Sequence, residues 1–234
     1  MSYLTSDLLN KNNKIKHRFF NNNWGIPRED KNLKQQKLDA VAKNLEIAPT
    51  NLITLSQIHS ADFVLVSTPL EGEIPKADAL ITQTPGLFIG VLTADCVPIL
   101  LASKDGQVVA AVHAGWRGAV ADIISNTVSA MQRLGAREIV AALGPCIWQE
   151  SYEVSNDFYD QIGQESFFMK NKSSGRYYFD LPAYVTTKLL KAGVTHIGPS
   201  MANTYSDYNF NSYRRTTHYP EQELRSNLSV IGII

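Results

Sequence analysis

Apolar positions along this 234-residue chain follow two rhythms. In the middle third they run together: "ADALIT" (77–82), "GLFIGVLTAD" (86–95), "VPILLAS" (97–103) and "QVVAAVHAG" (107–115). Short apolar runs bounded by turn residues read as buried strands, with Pro85-Gly86 and Asp105-Gly106 as the turns. The second turn predicts a hairpin joining residues 97–103 to 107–113. "NLITLSQIHS" (51–60) places Ile53, Leu55, Gln57 and His59 on one face of a strand, and "DFVLVS" (62–67) is its candidate partner. "REIVAALG" (137–144) and "NLSVIGII" (227–234) read as further strands.

The other rhythm is helical. "KQQKLDAVAKNLEI" (34–47) carries Leu38, Val41 and Leu45 on one face. The strongest helix is "AVADIISNTVSAMQRLG" (119–135), with a stripe of Val120, Ile123, Ile124, Thr127, Met131 and Leu134 and a capping Gly135. "DLPAYVTTKLLKAG" (180–193) has Asp180 as N-cap, Pro182 in the first turn and Gly193 at its end. The Asn/Lys-rich start, through "NNNWG" (21–25), reads as loop with local turns. Helices lie between strands, so the expected fold is α/β or α+β, a single domain over residues 1–234 with mixed sheets.

Composition leaves that picture in place and narrows the function. Apolar residues make up 44% and charged residues 19%, enough for a full core without staples. A net charge of zero offers no global pull toward nucleic acid or an anionic membrane. No apolar run approaches the roughly 20 residues of a membrane span, and the start lacks a signal-length apolar core, so a soluble cytoplasmic protein is expected. No feature specifies an oligomeric state. Cys96 and Cys146 are the two cysteines, too few for a disulfide framework.

The candidate chemistry lies in polar residues stranded among apolar ones: His59 after "LSQI", Cys96 after "VLTAD" and His113 after "VVAAV". All three fall at or near predicted strand ends. Two imidazoles and a thiolate could hold zinc with a fourth position open, and zinc lowers the pKa of a bound water toward about 7. The same atoms fit a metal-free pair, with Cys96 as nucleophile and His113 as its base. They also fit a small buried thiol and hydrogen-bonded histidines. Asp95 could orient a partner, contact substrate or cap the strand end.

Taken in order, "SQIHSADFV", "ADALIT", "GVLTADCVPILL", "AAVHAGWRG", "LGPCIWQESYEV" and "FNSYRR" resemble the signature blocks of the YfiH family, from about residue 52 to the end. That family is described both as a laccase-like multicopper polyphenol oxidase and as a purine nucleoside phosphorylase with adenosine deaminase activity. The resemblance implies a layered α-β-β-α sandwich and a catalytic zinc on His59, Cys96 and His113. It implies phosphorolysis of adenosine, inosine and methylthioadenosine, and deamination of adenosine, with purine nucleoside and phosphate as small-molecule partners. Copper is the alternative metal. The fold is also similar to the catalytic domain of cytotoxic necrotizing factor toxins, which use Cys and His without metal; a deamidase-like amidohydrolase is therefore a second expectation. A nucleoside-binding relative without catalysis is a third.

Within that frame Arg117, Arg214 or Arg215 and Arg225 are candidate phosphate ligands, since the guanidinium fork matches an oxyanion. Trp116 and Tyr213 could stack on a purine. Gln57 could bind substrate or hold the His59 tautomer, and Cys146 could line the pocket or be a buried thiol. The family pattern is broken in places. Asn22 stands where an arginine is usual, and Ser151 and Asn203 stand where cysteines are usual. Five histidines in the chain are too few for several His-rich copper sites.

Overall fold

The apolar runs of the middle of the chain become inner strands of two mixed sheets in the computed structural model, which describes residues 2–234. The first sheet is six-stranded. It contains β1 (Tyr3–Leu4), β2 (Ile15–Phe20), β3 (Ile26–Pro27), β4 (Leu52–Ile53), β7 (Phe88–Thr93) and β15 (Arg225–Ile233). Its order is β1-β2-β15-β7-β4, with β3 also pairing β15. The second contains β5 (Phe63–Leu65), β6 (Ala79–Thr82), β8 (Val97–Ser103), β9 (Val109–Ala114), β10 (Ile139–Leu143) and β14 (His196–Gly198). Its order is β14-β10-β8-β9-β6-β5. A small third sheet joins β11 (Glu153–Val154), β12 (Phe168–Lys170) and β13 (Tyr177–Phe179).

The helices are α1 (Asp7–Asn10), α2 (Lys31–Leu45), α3 (Trp116–Val120), α4 (Ile123–Arg133), α5 (Asn156–Ile162), α6 (Leu181–Lys191) and α7 (Tyr213–His218). Between the large sheets, Phe19, Ile89, Val91 and Ile231 meet Leu80, Leu100, Val109 and Ala111. On the outer face of the first sheet, Phe88, Leu228 and Val230 pack on Leu38, Val41 and Leu45 of α2. On the outer face of the second, Ile99, Leu101 and Val112 pack on α4 and α6 through Ile124, Met131, Val185 and Leu189. The layers therefore run α-β-β-α. Strands apolar on both faces are what a doubly covered sheet requires, and each large side chain so buried contributes about 1.5–3 kcal/mol.

The predicted hairpin is present, with Pro98 opposite His113 and Leu101 opposite Ala110. Asp180 caps α6 by accepting from the Ala183 amide at 2.9 Å. Four expectations fail, each for a physical reason. Residues 15–20, read as loop, form β2. Its period-two pattern is masked by His17, a polar residue at a buried position that accepts from the Ser6 amide at 2.7 Å, while Lys16 and Arg18 on the other face reach the last carbonyls of α2 at Leu45 and Asn44, at 2.7 and 2.8 Å. The strand expected through 51–60 stops at Ile53; beyond it Ser56 bridges Lys76, and the amides of residues 58–60 turn onto a buried carboxylate. Residues 63–65 pair parallel with β6 rather than with β4. The long helix breaks at Asp122, which sits at φ 70° and forms an ion pair with Lys188 of α6 at 2.7 Å. Val120, at that break, is exposed rather than part of the buried stripe.

Candidate active site

Cys96 lies where the chain crosses from one large sheet to the other, between β7 and β8. Asp95, before it, adopts the left-handed conformation at φ 91°, a conformation that costs a non-glycine residue about 1–3 kcal/mol. Hydrogen bonds hold it there. Its carboxylate accepts from the Thr204 hydroxyl at 2.7 Å and the Arg214 amide at 2.6 Å, and its carbonyl accepts from the Ile147 amide at 2.9 Å. His113 projects from β9, and His59 from the loop after β4, itself at φ 61°.

These separated segments converge. One ligand atom each from His59, Cys96 and His113 lies within 4.8 Å of the others, and the imidazole rings are edge to face with centroids 4.7 Å apart. Space for this packing depends on Gly115. A Cβ there would sit 2.6 Å from His59 Nδ1 and 3.1 Å from Cys96 Sγ. Gly118 does similar work one turn on, where a Cβ would lie 2.8 Å from the Ser60 carbonyl. Gly115→Ala is expected to displace the His59 ring and lower metal affinity at least about tenfold, while the thermal midpoint moves by only a few degrees. Chelator competition and a melting curve check this; unchanged affinity would contradict it.

The residue that organises the group is Asp78, fully buried at the start of β6. Its carboxylate accepts from the amides of Ile58, His59 and Ser60 at 3.2, 3.0 and 2.6 Å, and from the Ser60 hydroxyl at 2.9 Å. It also accepts from His113 Nδ1 at 2.7 Å. One carboxylate thus folds the His59 loop and fixes the His113 tautomer, leaving Nε2 free to bind a ligand. Burial alone would raise the Asp78 pKa, but the His113 contact and the Ser60 amide bring it down to about 2. Burial alone would lower the His113 pKa, but the Cys96 sulfur and Asp78 raise it to about 9. At His59, burial and the neighbouring His113 lower it. His113 thus favours its charged form and His59 its neutral form. A borderline-soft cation suits a donor set of one thiolate and two imidazoles, so these residues fit a single metal ion. Among the described residues no other group of this kind is found.

The group opens into a cavity of about 650 Å³, within the roughly 300–1,000 Å³ typical of small-molecule sites. Asp95, Arg117, Arg214, Gln57, Trp116 and Tyr213, all singled out from the sequence, line it. The Arg117 guanidinium stacks over Trp116, 4.4 Å from the ring centroid. Arg214 donates to the Glu153 carbonyl at 2.9 Å and sits 5.4 Å from the Tyr152 ring centroid. The Gln57 amide both donates to and accepts from the Leu92 backbone at 2.7 Å, like a missing strand partner; the tautomer in this group is held by Asp78, on His113.

The remaining candidates lie elsewhere. Arg215 is buried and spent on the carbonyls of Thr204, Tyr205 and Phe210. Arg225 pairs with Glu223 at 2.7 Å. Cys146 is a buried thiol, 3.1 Å from the Ser200 hydroxyl, with its pKa pushed up to about 12 by burial. The two positions that depart from the cysteine pattern touch each other: Asn203 Nδ2 donates to Ser151 Oγ at 2.9 Å. A neutral hydrogen bond thus stands where a pair of thiols is usual. Asn22 turns away from the cavity and donates to the Tyr208 carbonyl at 2.7 Å.

Sequence reasoning missed Asp78, Arg28 and Lys34. A signal for the first was present: an aspartate inside the apolar "KADALIT" must be paired if that run is buried.

The family model described as multi-copper polyphenol oxidoreductase laccase matches residues 12–222. A purine nucleoside phosphorylase of Rickettsia conorii is 35% identical over 225 residues, 94% of this chain and 91% of that protein. An adenosine deaminase from an unknown prokaryotic organism is 34% identical over 169 residues, 66% of this chain and 64% of its own length. The solved structure of a YfiH protein from Bacillus licheniformis shares the fold, with a TM-score of 0.84 at 23% identity, covering 100% of this chain and 97% of that one.

Proposed function

This chain belongs to the multi-copper polyphenol oxidoreductase laccase family, and on that premise we propose that it is a zinc-dependent purine nucleoside enzyme. It cleaves adenosine, inosine and methylthioadenosine with phosphate, and deaminates adenosine. The observation that carries this reading is the convergence of His59, Cys96 and His113 at the wall of a nucleoside-sized, cation-lined cavity. The names of the relatives, purine nucleoside phosphorylase and adenosine deaminase, agree with it.

Zinc held by these three side chains would supply Lewis acidity at the reacting end of the cavity. The chain's own residues do the rest. Asp78 keeps both imidazoles aimed. Trp116 and Tyr213 offer flat faces for the base, and the cations of the cavity hold the phosphate. In phosphorolysis a phosphate oxygen bonds to C1′ as the C1′–N9 bond breaks. The bond pair leaves with the purine, which takes up the proton lost by monohydrogen phosphate, giving free base and ribose 1-phosphate.

The copper chemistry in the family's description needs several histidine-rich centres. Here His17 accepts from the Ser6 amide at 2.7 Å, and His218 is bonded to the Tyr205 hydroxyl at 2.9 Å. His196 bonds Thr195 on the surface, so only His59 and His113 join the cysteine. Among the described residues no methionine lines the cavity to act as the weak axial ligand of a copper site.

The proximity of Cys96 to His113 also favours a second reading, a metal-free thiol–imidazole pair acting on amides. The no-catalysis reading needs only the cavity. Chromatography of adenosine and inosine incubations, with and without phosphate, separates these. Free base appearing only with phosphate supports the proposal, as does inosine formed from adenosine without it. Nucleosides returned intact by zinc-loaded protein would overturn it.

A further inference from the structure

Beyond the ligand group, the cavity wall is cationic to a degree that its own acids do not offset. Arg28, Lys34, Arg117 and Arg214 line it, and the one acidic side chain among the lining residues is Asp95. That carboxylate is already engaged by Thr204 and the Arg214 amide. Among the described residues, none of these cations takes part in an ion pair.

Arg28 and Lys34 lie outside the signature blocks that begin near residue 52, though within the stretch that the family model matches. Arg28 directly follows β3, and Lys34 lies in the first turn of α2. The Arg28 Nε donates to the Ser226 hydroxyl at 3.1 Å, which holds the guanidinium while leaving its terminal nitrogens available. Lys34 is half-buried, and its ammonium has no hydrogen-bond or ion-pair partner among the described residues. Its pKa is lowered by burial alone, so nothing nearby compensates the charge. A half-buried ammonium with no counterion costs free energy that a bound anion would recover.

We propose that Arg28 and Lys34, both lining this cavity, form its phosphate-binding pole. The ligand is inorganic phosphate, whose oxygens match the guanidinium fork and the ammonium point charge. This inference rests on the reading of the chain as a phosphorolytic enzyme, and it assigns the co-substrate's place within that site.

Arg28→Gln and Lys34→Gln test it, singly and together. Arg28 is exposed and Lys34 half-exposed, so both variants retain the fold, which a melting curve checks. Steady-state phosphorolysis of inosine is measured with phosphate varied at saturating inosine, and the reverse. Each single variant is expected to raise the KM for phosphate by about tenfold or more, as loss of a charge-assisted hydrogen bond does. The KM for inosine is expected to move much less, and Arg28→Lys to recover part of the loss. A phosphate KM unmoved in the double variant, or a parallel rise in both KM values, overturns the inference.

Calorimetric titration of wild-type and double-variant protein with inorganic phosphate alone separates this inference from the broader one. Phosphate binding lost in the double variant, in a protein that cleaves no nucleoside, would uphold the pole and sink the proposed activity. Phosphorolysis with an unaltered phosphate KM would do the opposite. A wild-type protein that binds no phosphate overturns the pole.

Discussion

Cys96→Ala is expected to lower phosphorolysis of inosine on the order of a thousandfold, and to reduce bound zinc from about one per chain to a small fraction of that. The thiol is the one anionic donor in the group, and it stands on a rigid crossing between two sheets. No neighbouring residue can replace it. Asp95 is turned toward Thr204 and Arg214, and Cys146 is bonded to Ser200. Cys96 is half-buried, so alanine leaves no large void and the thermal midpoint should shift by only a few degrees. Zinc analysis, turnover and melting on the same preparation check all three. A variant that keeps its zinc and its activity would remove Cys96 from the site.

Asp78→Asn is expected to act through the ligands rather than on the substrate. Asparagine keeps the shape but offers one acceptor oxygen and a donor amide to a pocket that presents only donors: three backbone amides, the Ser60 hydroxyl and His113 Nδ1. The His59 loop loosens and His113 loses its fixed tautomer. Zinc affinity should fall about 10–100-fold, and unfolding free energy by about 3 kcal/mol, the cost of breaking a buried charged network. Excess zinc should restore much of the turnover in Asp78→Asn and none in Cys96→Ala. That contrast separates a positioning residue from a ligand, and equal rescue in both would refute the distinction. Chelator competition and denaturant unfolding supply the numbers.

How legible these features were depends on how local their physics is. β8 and β9 are readable because they are buried on both faces and joined by an Asp-Gly turn, all within one stretch of chain. α6 is readable because Asp180, Pro182 and Gly193 mark its ends in sequence. His59, Cys96 and His113 stand out as polar residues in apolar runs, but spacing leaves their chemistry open; the ordered blocks around them point to the family.

What is not legible is set by distant partners. Asp78 matters because the chain returns to it from residues 58–60 and again from 113. The alternation of β2 is hidden because its buried position 17 is a histidine, matched to the distant Ser6 amide. The helix breaks at Asp122, where a left-handed backbone residue also reaches Lys188 across the helical layer. Arg28 and Lys34 look like ordinary surface cations until the sheets bring them to the cavity that Cys96 faces.

On the proposed reading, His59, Cys96 and His113 hold a zinc ion on which the nucleoside chemistry depends. The most direct measurement is metal titration. Chelator-stripped protein is loaded with zinc in steps while base release from inosine is followed in the presence of phosphate. Activity is expected to rise from near zero and saturate at about one zinc per chain. Full activity in the stripped protein, abolished by alkylation of Cys96, would contradict the account and establish the metal-free thiol in its place.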